Sequence, residues 1–319
     1  MTRYVLGRVS QLVVVVVGVL LVVFVVLYIV AEPARMTLPI GASQEQIDAF
    51  NRANGLDLPL MTQLGNFLRD AVRGDFGTSI MLKEDALGAA LERLPATILL
   101  TFPPVILGGA LGILFGAMAS RRPHSVFDQF LNTTSYTVAS TADFWIAIML
   151  ILVFAVNLPF LPTGGFNPKP QVLILPWIVL SLGPFAQLFQ LTRSTMIVEY
   201  KRPYVLASYA RGMSDSRVAV RSVFPNVLLA SLTMIMYELA RVFIGTAIVI
   251  EVVFAWPGLG RLAAEALGRG DIFLIEALVL VGAIATAAIN LLADILYFVV
   301  DPRTKHLVDS RRQPGRARA

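Results

Sequence analysis

Six ionisable side chains stand inside long apolar stretches of this chain, with Glu276 and Asp294 at the two ends of the last stretch. The four candidates for a functional role are Asp143, Glu238, Arg241 and Glu251. A charge costs several kcal/mol inside a bilayer, so such residues usually line a solute path or relay protons. Glu238 and Arg241 are three residues apart, which predicts an ion pair on one helical face, and such a pair could serve packing alone. Asp143 and Glu251 are the candidates for an acidic lining that attracts a cationic group.

Several other chemistries are excluded by residue types and motifs. The chain has no cysteine and only two histidines, His124 and His306, so thiol catalysis and Cys- or His-based metal sites are not expected. It contains no G-x-x-x-x-G-K-[ST], G-x-S-x-G or H-E-x-x-H sequence. We therefore expect no catalytic residue, metal or cofactor on this chain, and a membrane-embedded hydrolase is the least favoured class.

The elements that must position these charges are membrane-spanning helices. Of 319 residues 56% are apolar and only 15% charged, and the apolar residues form runs of about 20 or more, enough to cross a bilayer. The pattern predicts an all-α polytopic membrane protein with six transmembrane helices, Asp143 interrupting the third. The predicted spans are Val9–Val30, Pro95–Ala119, Thr133–Val156, Val172–Leu191, Val227–Val253 and Ile272–Val300.

Basic residues predict the orientation of these spans. Sixteen of the 26 lysines and arginines fall in residues 1–8, 120–132, 192–226 and 301–319. Short cytoplasmic segments carry this excess, so both termini are expected on the cytoplasmic side of the membrane. The predicted divisions are a first segment with its span (1–30), an extracytoplasmic insertion (31–94), a membrane-spanning core (95–300) and a cytoplasmic tail (301–319).

The extracytoplasmic insertion has helix signals of its own. A capping-box sequence begins at Ser43, and Gly55 is the expected stop of that helix. Pro59 opens a second amphipathic helix that should end near Gly74, and a third should begin near Lys83 and lead into the second span. These signals predict a small helical subdomain outside the membrane.

Three glycines at four-residue spacing mark the second span. Gly108, Gly112 and Gly116 would form a strip of small residues along one face. Such strips let two helices approach closely, so we predict a packing surface without chemistry.

The segment 199–226 between the fourth and fifth spans is long, basic and still helical in pattern. A helix over Pro203–Arg211 should stop at Gly212, and Ser214 should cap a second helix that begins at Asp215. On physical grounds alone, this segment could lie against anionic lipid or dock to another protein.

The same segment resembles the EAA loop of ABC importer permeases. Ala207 and Ser208, followed by Gly212 and then Pro225, match the spacing of that loop, with Leu206 where the family has Glu. In that family the loop forms a coupling helix that sits in a cleft of a separate ATPase subunit. The resemblance implies the following coupling residues: Tyr204, Leu206, Ala207, Ser208, Arg211, Gly212, Arg217 and Pro225.

Five further stretches resemble the dipeptide/oligopeptide/nickel branch of this family. They occur in the family's order over nearly the whole chain, and Asp143 departs from a common Pro in the branch. The stretches are Gly74–Ser79, Arg93–Thr97, Leu191–Ser194, Val253–Arg261 and Leu296–Arg303.

The resemblance implies a complete transport assembly around this chain. Its expected partners are a second homologous permease, two ABC ATPase subunits that carry ATP and magnesium, an extracytoplasmic binding protein, membrane lipid and a peptide substrate, and no nucleic acid. Dipeptides, oligopeptides, nickel complexes and some sugars are all carried by the branch. The alternative from another class is a proton-coupled secondary transporter, although no internal repeat supports it.

Overall fold

The computed structural model describes residues 2–30, 33–38, 41–165 and 170–300, and its named elements are all helical. In chain order these helices are α1 (Thr2–Phe24), α2 (Pro33–Thr37), α3 (Gln44–Ala53), α4 (Leu60–Arg73), α5 (Ala86–Ala119), α6 (Val126–Ser140), α7 (Asp143–Ile151), α8 (Ile174–Glu199), α9 (Pro203–Ala210), α10 (Asp215–Val218), α11 (Phe224–Arg241), α12 (Ala247–Val253), α13 (Leu259–Arg269) and α14 (Ile272–Val300). Turns of π-helix at Val25–Val30, Leu152–Asn157, Ala219–Val223 and Val242–Thr246 extend or join them, and a 3₁₀ turn at Pro170–Leu173 precedes α8.

Five helical stretches among the described residues are long and apolar enough to cross a membrane, and a bent pair gives a sixth if it counts as one span. This supports a multi-pass α-helical membrane protein. The five stretches are Ser10–Ile29, Ala86–Ala119, Pro170–Glu199, Asp215–Val253 and Ile272–Leu296.

The bent pair corrects the prediction of a single third span over Thr133–Val156. Helix α6 ends at Ser140, α7 begins at Asp143, and the two helices are bent by 102°. Thr141 and Ala142 between them have extended backbones. Hydroxyls of Ser140 and Thr141 bond back to carbonyls one turn earlier, and an acid in the first turn of α7 suits the helix dipole. Residues 133–141 are rich in serine and threonine, but the apolar residues of α7 follow almost at once, so hydropathy predicts one span across the break.

The chain divides into two compact units. The first comprises residues 1–99, 163–169 and 243–288. Within it, the predicted helices of the insertion are confirmed: Ser43 accepts from the Gln46 amide and Gln46 caps back at 2.9 Å, and α4 ends at Gly74. The rings of Phe24 in α1 and Phe67 in α4 lie 5.6 Å apart, so an aromatic contact attaches the insertion to the first helix.

The second unit comprises residues 100–162, 170–242 and 289–319. In it, α5 and α8 pack closely. A Cβ atom on any of the three strip glycines, Gly108, Gly112 and Gly116, would collide with a backbone carbonyl of α8. Gly108 faces Ser181, and the next two glycines face residues four and eight positions further along α8. The predicted packing strip is therefore confirmed. Its regular contacts position α8 for the site described next.

Candidate functional site

A two-helix projection, α9 with α10 and the intervening turn, belongs to the second unit. Its apolar side packs on a core of Met196, Val205, Val218, Val223 and Val227, with Val205 and Val218 fully buried. The projection is thus fixed to the ends of α8 and α11.

The predicted helix stop at Gly212 is confirmed, whereas the predicted cap at Ser214 lacks its side-chain hydrogen bond. Gly212 has φ +77° with nothing within 4 Å of a Cβ position, as a glycine stop in open space requires. Ser214 occupies the N-cap position of α10 but makes no side-chain cap hydrogen bond. The second helix is also longer than predicted, because Asp215–Val253 runs as one helical stretch into the fifth span. A movement of the projection would therefore act on that span directly.

Seven of the eight predicted coupling residues are exposed. They are Tyr204, Leu206, Ala207, Arg211, Gly212, Arg217 and Pro225. Ser208 differs because it is 6% exposed, and its hydroxyl contacts the carbonyl of Tyr204 and the hydroxyl of Ser222 at 3.0 and 3.2 Å. Ser208 thus holds α9 against the following helical segment, and the other seven residues are free to meet another molecule.

Tyrosine hydroxyls organise the side chains around the projection. The Tyr204 hydroxyl donates to Glu199 at 3.2 Å and accepts from Asn226 at 2.9 Å. Burial and, after it, the nearby Glu199 charge raise the pKa of Tyr204. Burial likewise raises the pKa of Tyr200 and of Tyr209, so all three tyrosines keep their protons at neutral pH.

Asp143, Glu238 and Arg241 line a single cavity of about 410 Å³ in the second unit. Helices α6, α7, α8 and α11 position its walls, which also include Gln187 of α8 and Tyr237 of α11. The predicted Glu238–Arg241 pair is present, with an Arg241 Nη2 to Glu238 Oε2 distance of 2.8 Å. Glu238 is 1% exposed, whereas more than a third of the Arg241 side chain is accessible. The cavity therefore presents both signs of charge.

The same two helices carry the cavity and the projection. In α11, Val227 lies in the core of the projection and Glu238 lines the cavity, about 16 Å apart along the helix axis. Between these positions, the buried hydroxyls of Thr192 in α8 and Ser231 in α11 lie 3.3 Å apart. A shift of the projection would therefore move the parts of α8 and α11 that form the wall of the cavity.

Glu251, the fourth predicted charge, lies in the first unit. It is fully buried, and its carboxylate accepts from the Thr97 hydroxyl at 2.6 Å and from the Arg261 amide at 2.9 Å. Thr97 also accepts from the Leu259 amide, and the Trp256 indole donates to the Ala96 carbonyl. These contacts join two of the family-like stretches, Arg93–Thr97 and Val253–Arg261, and Glu251 holds the second of them in place. The predicted role of Glu251 in a translocation path stays a prediction.

Two further acids with structural roles were not predicted from the sequence. Asp128 in α6 forms a bidentate ion pair with Arg193 of α8 and accepts from the His124 amide at 2.8 Å. Asp271 accepts from the Ser79 hydroxyl at 2.6 Å and from the Met81 amide at 2.9 Å, within the first unit. Both stand next to apolar runs, where the sequence offers no sign of their partners. Arg193 and Ser79, the partners of these two acids, lie in stretches that resemble the family. That position was the available signal that each of them forms a specific contact.

The described part of the chain contains no group of three metal-ligating residues. The arrangement is a multi-pass helical protein with a charged cavity and an exposed basic projection, the general form of a transport permease. Two family comparisons match that class. The family described as binding-protein-dependent transport system inner membrane component matches residues 112–306, and the corresponding N-terminal family matches residues 1–101. The chain belongs to this family of inner-membrane permeases, which serve ABC importers.

Several curated proteins resemble the chain over nearly its full length. The oligopeptide transport system permease protein AppB of Bacillus subtilis is 32% identical, covering 96% of this chain and 100% of that protein. The dipeptide transport system permease protein DppB of Alkalihalophilus pseudofirmus is 29% identical, with the same coverages. The glutathione transport system permease protein GsiC of Escherichia coli is 30% identical, again over 96% and 100%. The predicted family is confirmed, and the secondary-transporter alternative is not favoured.

Proposed function

We propose that this chain is one permease subunit of an ATP-driven importer for peptides. It would pair with a second, homologous permease around a central path, and an extracytoplasmic binding protein would deliver the substrate. In this proposal the chain has six spans with both termini in the cytoplasm, so the projection would lie inside. The distribution of basic residues supports this orientation. The peptide substrate is supported by the near full-length relatives named for oligopeptide, dipeptide and glutathione transport.

The observation that carries the proposal is the shared use of α8 and α11 by the projection and the charged cavity. ATP and magnesium would bind on two separate ATPase subunits, whose closure would move the exposed residues of the projection. Because α11 is continuous with the projection, this movement would reach Glu238 and Arg241 as a rigid-body shift. ATP would thus change the accessibility of the cavity without any ATPase site on this chain.

The chemistry of the cavity suits the two ends of a short peptide. A free peptide carries an ammonium group and a carboxylate, and the cavity offers Asp143 and Arg241 on its wall. A volume of about 410 Å³ falls within the usual range of small-molecule sites, about 300–1,000 Å³. In this proposal the cavity is one half of the translocation path.

The test is a pull-down of the tagged full chain from membranes in mild detergent. An ATPase subunit and a second permease should co-purify with the wild type, and Gly212→Asp should lose the ATPase. Gly41→Asp is a matched control, because Gly41 also has positive φ and nothing within 4 Å of its Cβ position but lies far from the projection in sequence. If the chain purifies alone, or if both variants keep the ATPase, the docking role of the projection is wrong.

A further inference from the structure

A second cavity, of about 270 Å³, lies in the first unit and shares no residue with the translocation cavity. We name it the Glu276 pocket. The end of α1, the insertion helix α4, the turn after it and the start of α14 form its walls. Its charged and aromatic lining residues are Tyr28, Phe67, Asp70, Asp75, Phe76, Phe273 and Glu276.

The charge in this pocket has one sign. Three carboxylic acids line it, and no lysine or arginine is among the lining residues in the described part of the chain. Asparagine and glutamine side chains complete the polar part of the wall. Such a lining attracts a cation and repels an anion.

Glu276 contributes to this pocket a buried oxygen atom that lacks a hydrogen-bond donor among the described residues. It is 3% exposed, and within the described residues its Oε1 atom accepts no hydrogen bond, although it is buried. Tyr28 lies beside the carboxyl group and interacts with it. A buried acceptor without a donor costs about 1–3 kcal/mol, and more when it is charged, so a bound donor would be favoured at this atom.

The pocket fits an organic cation better than a metal ion. The described residues hold no cluster of three acidic, histidine or cysteine ligands. Aromatic rings of Phe67, Phe76 and Phe273 line the same space, and aromatic faces attract ammonium groups. The volume accommodates a short alkyl chain beside the charged head. An ammonium group also supplies a hydrogen-bond donor for the Oε1 atom of Glu276, which has none among the described residues.

We propose that the Glu276 pocket binds the ammonium group of a small molecule, with Glu276 as the principal acceptor and Asp70 and Asp75 adding attraction. The ammonium group can belong to a simple amine or to the amino end of a short peptide. The residues of this pocket are not those of the cavity in the proposed peptide path, so variants can test the two sites independently.

Calorimetric titration of the full chain in lipid nanodiscs tests this site. The probes are n-butylammonium and its neutral counterpart n-butanol, and then dialanine and N-acetyl-dialanine. We expect n-butylammonium to bind at least ten-fold more tightly than n-butanol. Dialanine binding that acetylation abolishes would identify the amino end of a peptide as the ligand. Binding of n-butylammonium alone would restrict the site to simple amines, and equal affinities for n-butylammonium and n-butanol would overturn the proposal.

Two variants distinguish ligand binding from a structural role. Glu276→Gln keeps the size of the side chain and should weaken n-butylammonium binding at least ten-fold, whereas the exposed control Glu45→Gln should leave it unchanged. If Glu276→Gln does not fold, Asp70→Asn replaces it and should weaken binding several-fold. Unchanged binding in the folded variant would contradict the proposal. A loss of peptide transport with this binding intact would count only against the proposed function.

Discussion

Breaking the ion pair of Asp128 and Arg193 by removing one partner should be one of the costliest single changes in the second unit. The Asp128 side chain is 2% exposed and that of Arg193 is 19% exposed, and Arg193 Nη2 lies 2.7 Å from Asp128 Oδ2. Removing one partner of a buried pair costs about 3–5 kcal/mol, because the other charge stays buried without compensation. Arg193→Leu should therefore lower stability by about this amount.

The prediction is sharper for the double variant. Asp128→Leu/Arg193→Leu removes both buried charges, so it should be more stable than Arg193→Leu alone, although the His124 amide loses its acceptor in both Asp128 variants. A change of 3–5 kcal/mol corresponds to a shift in Tm of about 4–8 °C for a chain of this size. Thermal unfolding in detergent, followed by intrinsic fluorescence, measures all four members of the cycle.

A matched ion pair provides the control for this cycle. Arg261 and Glu265 lie 2.8 Å apart, but both side chains are more than a third exposed. Breaking that pair should cost at most about 1 kcal/mol. If Arg193→Leu shifts the Tm no more than Glu265→Leu does, or if the double variant is the least stable of the cycle, the argument from burial is refuted.

Three further predictions concern packing, coupling and the two predicted acids. Gly112→Ala should destabilise the chain by about 1–3 kcal/mol because its Cβ meets the α8 backbone, whereas Gly282→Ala, with open space around it, should not; equal Tm values would contradict the close approach. Thr192→Val should leave peptide binding intact but lower the rate of ATP-driven uptake, and an unchanged rate would exclude this contact from coupling. Asp143→Asn should lower uptake several-fold at constant Tm, whereas Glu251→Leu should lower the Tm through about 2–4 kcal/mol of lost hydrogen bonds; the reverse pattern would exchange the two roles.

The sequence predicted helix ends and helix contacts well where they depend on residues close together in the chain. The capping box at Ser43, the stop at Gly212 and the glycine strip of α5 depend on a few neighbouring residues or on a simple period. The pairing of Glu238 with Arg241 was predictable for the same reason, since both lie on one helical turn. Composition alone set the class of protein and the approximate number of spans.

Contacts between distant parts of the chain were beyond the reach of these signals. The partner of Asp128 lies 65 residues away, and the partners of Glu251 come from a preceding helix and a following turn. Hydropathy could not find the break at Thr141, because α6 and α7 taken together are apolar enough for one span. Nor could spacing place Asp143 in the same cavity as Arg241, since that cavity depends on how four helices pack.

The central claim is that this chain transports peptide at the expense of ATP. The most direct measurement is uptake of a radiolabelled dipeptide into proteoliposomes that contain the complete complex, with the binding protein added outside and ATP enclosed. We predict uptake that requires ATP, that persists when an ionophore dissipates the proton gradient, and that falls with Gly212→Asp but not with Gly41→Asp. Uptake that follows the proton gradient and proceeds without ATP would contradict the account.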